Sequence, residues 1–175
     1  SGAVEIGSFL RASRMLLRIF DAIGSPLFAG MVREDVLGNI DKVERVVKTW
    51  GCEGQGLGDV VLRDMNQAEG GVVGEESATV ALLWMKRTMQ FVREILRALV
   101  SEKEVSMWKA SQDAYEMTLK HCHGFVTRRI FYAGLRLLPQ REIFIANLAG
   151  GVNVDEECVV GDLKDLLSAL DPVLD

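Results

Sequence analysis

Apolar positions recur three and four residues apart along almost the whole chain, the repeat of an amphipathic helix, and no segment sustains the two-residue alternation of a strand. The pattern predicts a first helix over about residues 4–23, with Phe9, Leu10, Met15, Leu16, Ile19 and Phe20 turned inward. Gly24-Ser25-Pro26 closes it, because glycine suits a C-terminal cap and proline a new helical start. A second helix follows over residues 27–50, then a glycine-rich flexible connection over 51–58, a short helix over 59–69 and a further connection over 70–74. Glu75-Glu76-Ser77 introduces a long helix reaching residue 100. Its apolar residues Val80, Ala81, Trp84, Met85, Phe91, Val92, Ile95, Leu96 and Leu99 cover more than half the circumference, so it is expected to be central; Lys86, Gln90, Arg93 and Arg97 share one narrow side. Another helix spans 105–121 and continues or kinks near Gly124 as far as Leu138, where Pro139 stops it. Shorter helices over 141–148 and 155–170 end the chain. The fold is expected to be all-α, one domain over residues 1–175.

The second helix carries more than an inside and an outside. Asp35, Asn39 and Lys42 fall within a stripe about 60° wide at 100° per residue, beside an apolar stripe of Val36, Ile40, Val43 and Val47. Asp41, Glu44, Arg45 and Lys48 occupy a third side. A surface helix needs only a buried and a solvated face. An acceptor, an amide and a cation at the border mark where a pocket can open, or form a hydrogen-bond network on the helix surface.

Composition narrows the function. Hydrophobic residues make up 49% and charged residues 26%, values of an ordinary globular protein, and the mean hydropathy of +0.15 hints at apolar surface beyond the needs of a core. Charged residues interrupt every apolar run before it could span a bilayer. A net charge of −5 opposes nucleic-acid binding and polybasic membrane anchoring. Cys52, Cys122 and Cys158 form neither a pairing pattern nor a metal spacing, which suits a reducing cytosol. No signal peptide is visible, and Ser1-Gly2 reads as an expression remnant.

Chemical motifs are sparse. Gly54, Gly56 and Gly58 lack the preceding strand and the Gly-Lys-Ser/Thr ending of a phosphate loop. His121 and His123, two apart, point to opposite sides of a helix and have no further ligand at helical spacing, so no metal site is expected. No nucleophile elbow or isolated carboxylate pair stands out. Trp84 alone reads as a core aromatic and His123 as a satisfied histidine, yet Trp84 also borders Arg87, at an edge where an indole can stack on a ligand.

Taken together, Gly24-Ser25-Pro26-Leu27-Phe28, Asp35-Val36-Leu37-Gly38-Asn39-Ile40-Asp41-Lys42, Ala81-Leu82-Leu83-Trp84-Met85-Lys86-Arg87, Ala114-Tyr115-Glu116-Met117 and His123-Gly124-Phe125 resemble the glycolipid transfer protein family in order and approximate spacing. The resemblance covers about residues 9–170. It implies a two-layer, all-helical fold with an internal apolar pocket for one sphingolipid. By the family pattern, Asp35, Asn39 and Lys42 are expected to hold the sugar, Trp84 to stack on it and His123 to meet the ceramide amide. The chemistry fits independently: sugar hydroxyls both donate and accept, and a buried amide must pair its N–H and C=O. Asp35 can accept the amide proton while Nδ1 or Nε2 of His123 donates to the carbonyl. Phe28, Val32, Val80, Phe91, Leu119, Phe131, Leu135 and Phe144 match the hydrocarbon pocket. At about 0.8 kcal/mol per methylene, some thirty chain carbons represent on the order of 24 kcal/mol that such a sleeve must match.

The resemblance further implies transient membrane contact through Tyr115, Phe125 and Ile130 and a cytoplasmic monomer without cofactor, metal or catalysis. A related branch carries ceramide-1-phosphate, with basic residues facing the phosphate and no sugar-stacking tryptophan. Asn39 and Trp84 favour a sugar here, although Lys42, Lys86 and Arg87 leave an anionic head open. A sphingolipid sensor that signals to a protein partner would use the same residues. The departures are Phe125 where the family often has tryptophan, Arg136 at an aromatic position near the pocket, and an end at Asp175 where members continue into a final helix. That end implies truncation or a different closure of the site.

Overall fold

The computed structural model describes residues 4–68, 70, 72–151 and 155–174, and these are all-α. They form eight helices: α1 (Ile6–Ile23), α2 (Pro26–Trp50), α3 (Leu57–Gln67), α4 (Ala78–Ser101), α5 (Met107–Thr118), α6 (Phe125–Leu135), α7 (Arg141–Leu148) and α8 (Glu156–Leu174). Ser1-Gly2, Glu69 at the expected end of the short helix, Gly71 of the connection after it and the terminal Asp175 lie outside the described residues. The chain divides into two compact units, Ser1–Leu17 with Arg33–Lys86 and Arg18–Val32 with Arg87–Asp175.

The first unit buries Ile6, Phe9, Leu10, Ser13, Leu16 and Leu17 along α1 and the predicted stripe Val36, Ile40, Val43 and Val47 along α2. Met15 corrects the predicted inward set: it is 68% exposed. At 100° per residue it projects about 160° from the middle of the arc that Ile6, Phe9, Leu10, Ser13, Leu16, Leu17 and Phe20 occupy, and Leu17 takes an inward place instead. The glycine-rich stretch after α2 is tied down rather than loose. Glu5 forms an antiparallel bridge with Gly56, Ile6 N–H donates to the Gln55 carbonyl at 2.9 Å and Leu57 N–H to the Val4 carbonyl at 2.8 Å. Ser77 Oγ accepts from Val80 N at 3.1 Å and Asp64 Oδ2 from Thr79 N at 2.8 Å. These bonds satisfy orphan donors at the start of α4 and fix the helix that carries Trp84.

In the second unit, Gly24 at φ +69° ends α1 in the left-handed region, where glycine is unstrained. The helix expected over 105–121, continuing or kinking near Gly124 as far as Leu138, breaks there into two helices. α5 closes with the N–H groups of Leu119 and Lys120 both donating to the Tyr115 carbonyl at 3.1 and 3.0 Å, and α6 starts after Gly124. Arg128 Nε donates to the Lys120 carbonyl at 2.8 Å, satisfying the break between them. α5 packs on α6 and α7 on α8.

The polar side of α4 was visible in sequence but its partner was not. Arg97 binds Asp171 of α8 at 2.6 Å and Glu94 at 3.1 Å, and Arg93, itself buried, lies 3.1 Å from Glu94 and 3.7 Å from Asp171. Gln90 Nε2 donates to the Leu174 carbonyl at 3.4 Å. The last turns of α8 thus dock on a charged stripe. Pro172 is accommodated within that helix, which runs four residues past its predicted end.

Candidate functional site

In the first unit, α2 presents Asp35 and Asn39 one helical turn apart. Asn39 is buried, and its Nδ2 donates to the Asp35 carbonyl at 2.9 Å and to Asp35 Oδ2 at 3.4 Å. The carboxamide therefore steadies the carboxylate while its own oxygen stays available as an acceptor. Asp35 is exposed as a residue, yet crowding around its carboxyl desolvates it and raises its pKa above the ordinary carboxylate value, with the Lys42 charge opposing that rise. Lys42 turns to the segment before α4: Nζ donates to the Glu75 carbonyl at 3.1 Å and pairs with Glu76 Oε1 at 2.9 Å. The stripe is thus a bonded Asp35–Asn39 pair with a cation one further turn along that is already engaged. Trp84 is half-buried on α4, as is Val80.

The second unit gathers the aromatic positions around Phe131 of α6. Phe28 and Phe91 each meet it edge-on at 5.4 Å between centroids, and Tyr115 stacks on it at 4.2 Å with 13° between planes. Phe28, Val32, Phe91, Leu119, Phe131, Leu135 and Phe144 are all buried. Gly134 lets the Phe28 ring approach the α6 backbone: a Cβ there would collide with Cδ2 of that ring and lie 2.9 Å from Cε2.

Tyr115 corrects an expectation. The family resemblance puts it at the membrane-contact rim, but it is fully buried. The inward stripe Met107, Ala110, Ser111, Ala114 and Tyr115 turns it into the unit, where its hydroxyl finds a partner in His123 Nδ1 at 3.0 Å. Burial, assisted by the neighbouring Tyr132, pushes the Tyr115 phenol up to about 12. Burial, assisted by the Arg128 charge, holds the His123 imidazole below its ordinary value. Both groups are therefore neutral near pH 7. If the phenol donates to Nδ1, no buried O–H is orphaned, and the ring proton of His123 then resides on Nε2. In that tautomer the ring donor is Nε2–H.

The remaining expected rim residues are exposed, Phe125 at 74% and Ile130 at 51%, and Val126, which sequence reasoning passed over, joins them at 67%. The Arg129 guanidinium lies 5.6 Å from the centre of the Phe125 ring. Arg136 is exposed at the C-cap of α6. Sequence reasoning also missed the Tyr115–His123 bond, because the pairing depends on the helix break, and the role of Glu76, which lies 34 positions from Lys42. Among the described residues, no helix is long and apolar enough to cross a membrane.

An all-helical chain with a carboxylate–carboxamide pair on one helix, and a neutral histidine held beside an aromatic cluster, has the makings of a binding protein for amphiphiles. The chain belongs to the glycolipid transfer protein family, whose family model matches residues 4–150. It is 34% identical over 164 residues to the glycolipid transfer protein of Danio rerio, an alignment covering 89% of this chain and 77% of that one. Among solved structures, HET-C2, a fungal glycolipid transfer protein, shares the fold with a TM-score of 0.85 and 28% identity, over 98% of this chain and 82% of that one. FAPP2, described as selecting simple glycosphingolipids using the same fold, matches with a TM-score of 0.78 and 26% identity, over 99% and 88%.

Proposed function

We propose that the protein binds one glycosphingolipid and moves it between membranes without a chemical step. The observation that carries this reading is the Asp35–Asn39 pair, in which a buried carboxamide holds a partly desolvated carboxylate on α2. A sugar ring offers several hydroxyls that donate to such a carboxylate and to the free carboxamide oxygen, and its C–H face suits the indole of Trp84. A ceramide carbonyl accepts from Nε2–H of His123. The apolar residues around Phe131 take hydrocarbon. None of these roles forms or breaks a covalent bond.

Delivery requires contact with a bilayer. Phe125, Val126 and Ile130 supply exposed apolar area on α6, with Arg129 beside them for lipid phosphate. The expected setting is the cytosol, with transient peripheral membrane contact and a monomeric carrier.

Transfer of labelled galactosylceramide between vesicles tests the reading. Asp35→Val and Trp84→Ala are each expected to reduce transfer by about tenfold or more, the size of a lost charge-assisted hydrogen bond or stacking platform. Transfer that persists unchanged in both variants sinks the site assignment. Tight binding without transfer by the unaltered protein points to a sensor instead.

A further inference from the structure

Lys42 leaves an open question for headgroup choice, since a free ammonium at this site welcomes a phosphate as readily as a sugar. Its surroundings answer it. The ammonium has three N–H donors. One goes to the Glu75 carbonyl at 3.1 Å and another to Glu76 Oε1 at 2.9 Å. Arg45 Nη1 lies 3.8 Å from the other oxygen of the same carboxylate. Asp35 is close enough for the Lys42 charge to oppose the rise of its pKa. Two acidic and two basic side chains thus form a chain of charges, Asp35, Lys42, Glu76 and Arg45, that balances to neutrality.

We propose that Glu76 is a specificity-determining residue: by occupying Lys42 it keeps the Lys42 end of the headgroup surface neutral and turns away phosphate-headed sphingolipids in favour of neutral sugars. The inference rests on the glycolipid-transfer reading and deepens it. A sugar hydroxyl needs one donor and no net charge, so it takes the third N–H of Lys42 with the Glu76 pair intact. A phosphate monoester carries roughly two negative charges at neutral pH and accepts several strong hydrogen bonds. At that third N–H it lies against the Asp35 and Glu76 carboxylates, and to draw a second bond from Lys42 it must displace Glu76. Glu76 is exposed, so the penalty is that of a partly screened charge, and it weakens as salt rises.

The test uses the full chain and two vesicle populations, one donating labelled galactosylceramide and one labelled ceramide-1-phosphate. Glu76→Gln removes the charge and keeps the shape, Glu76→Lys reverses it, and Glu53→Gln, at an exposed position in the same unit, controls for net charge. The expected result is a rise in the ratio of ceramide-1-phosphate to galactosylceramide transfer of about three- to tenfold for Glu76→Gln, more for Glu76→Lys, shrinking in high salt. Glu53→Gln should leave the ratio unchanged. An unchanged ratio in both Glu76 variants, or an equal rise in Glu53→Gln, overturns the role of Glu76 while leaving the transfer function standing. If the unaltered protein transfers neither lipid, the underlying reading fails and the inference with it.

Discussion

The polar stripe of α2 and the aromatic cluster around Phe131 are built on opposite principles. Asp35, Lys42 and Glu76 are exposed or half-buried, and each is held by one or two bonds that water or a ligand hydroxyl can replace. Phe28, Phe91, Tyr115 and Phe131 are almost wholly withdrawn from solvent and touch one another through their ring faces and edges. Exchangeable polar bonds contribute little net stability but can discriminate between partners. Buried rings contribute stability from area and packing and discriminate weakly, since one apolar chain resembles another. Recognition and stability are therefore expected to respond to different residues.

The largest effect should come from Phe131→Ala. Removing the ring that Phe28, Phe91, Tyr115 and His123 contact leaves a cavity, and the expected loss is about 3–5 kcal/mol in a chemical-denaturation measurement. Asp35→Val is the counterpart. It is expected to weaken glycolipid binding by about 1.5–3 kcal/mol, yet to shift the denaturation midpoint hardly at all, because the desolvated carboxylate it removes is no asset to the folded state. A Phe131→Ala protein as stable as the original, or an Asp35→Val protein that unfolds early, would erase the distinction between the two regions.

How much of this could be read from the chain follows the same division. The stripe of Val36, Ile40, Val43 and Val47 is buried as its period requires, since helical spacing is a local property. Asp35 and Asn39 were legible for the same reason, being one turn apart on one helix. The engagement of Lys42 by Glu75 and Glu76 was not, because two segments 33 and 34 positions apart meet only once the unit has folded. Tyr115 shows the sharper limit. An aromatic at the edge of a family motif reads as an interface residue, but the helix break at 119–124 brings His123 back to its hydroxyl, and burial decides the matter. The partners of the polar side of α4 were not legible for the parallel reason that Asp171 and Leu174 are over 70 positions from it.

A smaller effect sharpens the aromatic side. Gly134→Ala adds only a methyl group, but it must enter space that Phe28 already fills. Overpacking of this kind costs about 1–3 kcal/mol, against the few tenths to one that alanine ordinarily gains over glycine within a helix. The net change should still be destabilising. A double variant, Gly134→Ala with Phe28→Leu, should recover part of the loss, since leucine can withdraw from the added methyl; no recovery would mean that the ring is not what the methyl meets.

Tyr115→Phe should have the smallest effect and joins both principles in one residue. The ring and its stacking on Phe131 remain, so only the hydroxyl bond to His123 is lost, at a cost of about 1 kcal/mol. The loss has a signature that packing alone cannot mimic. With the hydroxyl present, nitrogen NMR of His123 should show Nε2 protonated and Nδ1 as acceptor; in Tyr115→Phe the two tautomers should mix. An alkaline absorbance titration gives the second reading. The folded-state pKa of Tyr115 is raised to about 12, above the ordinary phenol value of about 10. Its contribution to stability is therefore fully present below about pH 10 and is lost as pH rises through about 12. A phenolate component titrating near that upper value, absent from Tyr115→Phe, would show the tyrosine oxygen protonated until high pH and so able to donate to His123 Nδ1, the arrangement in which Nε2–H is the ring donor that the proposed glycolipid site uses.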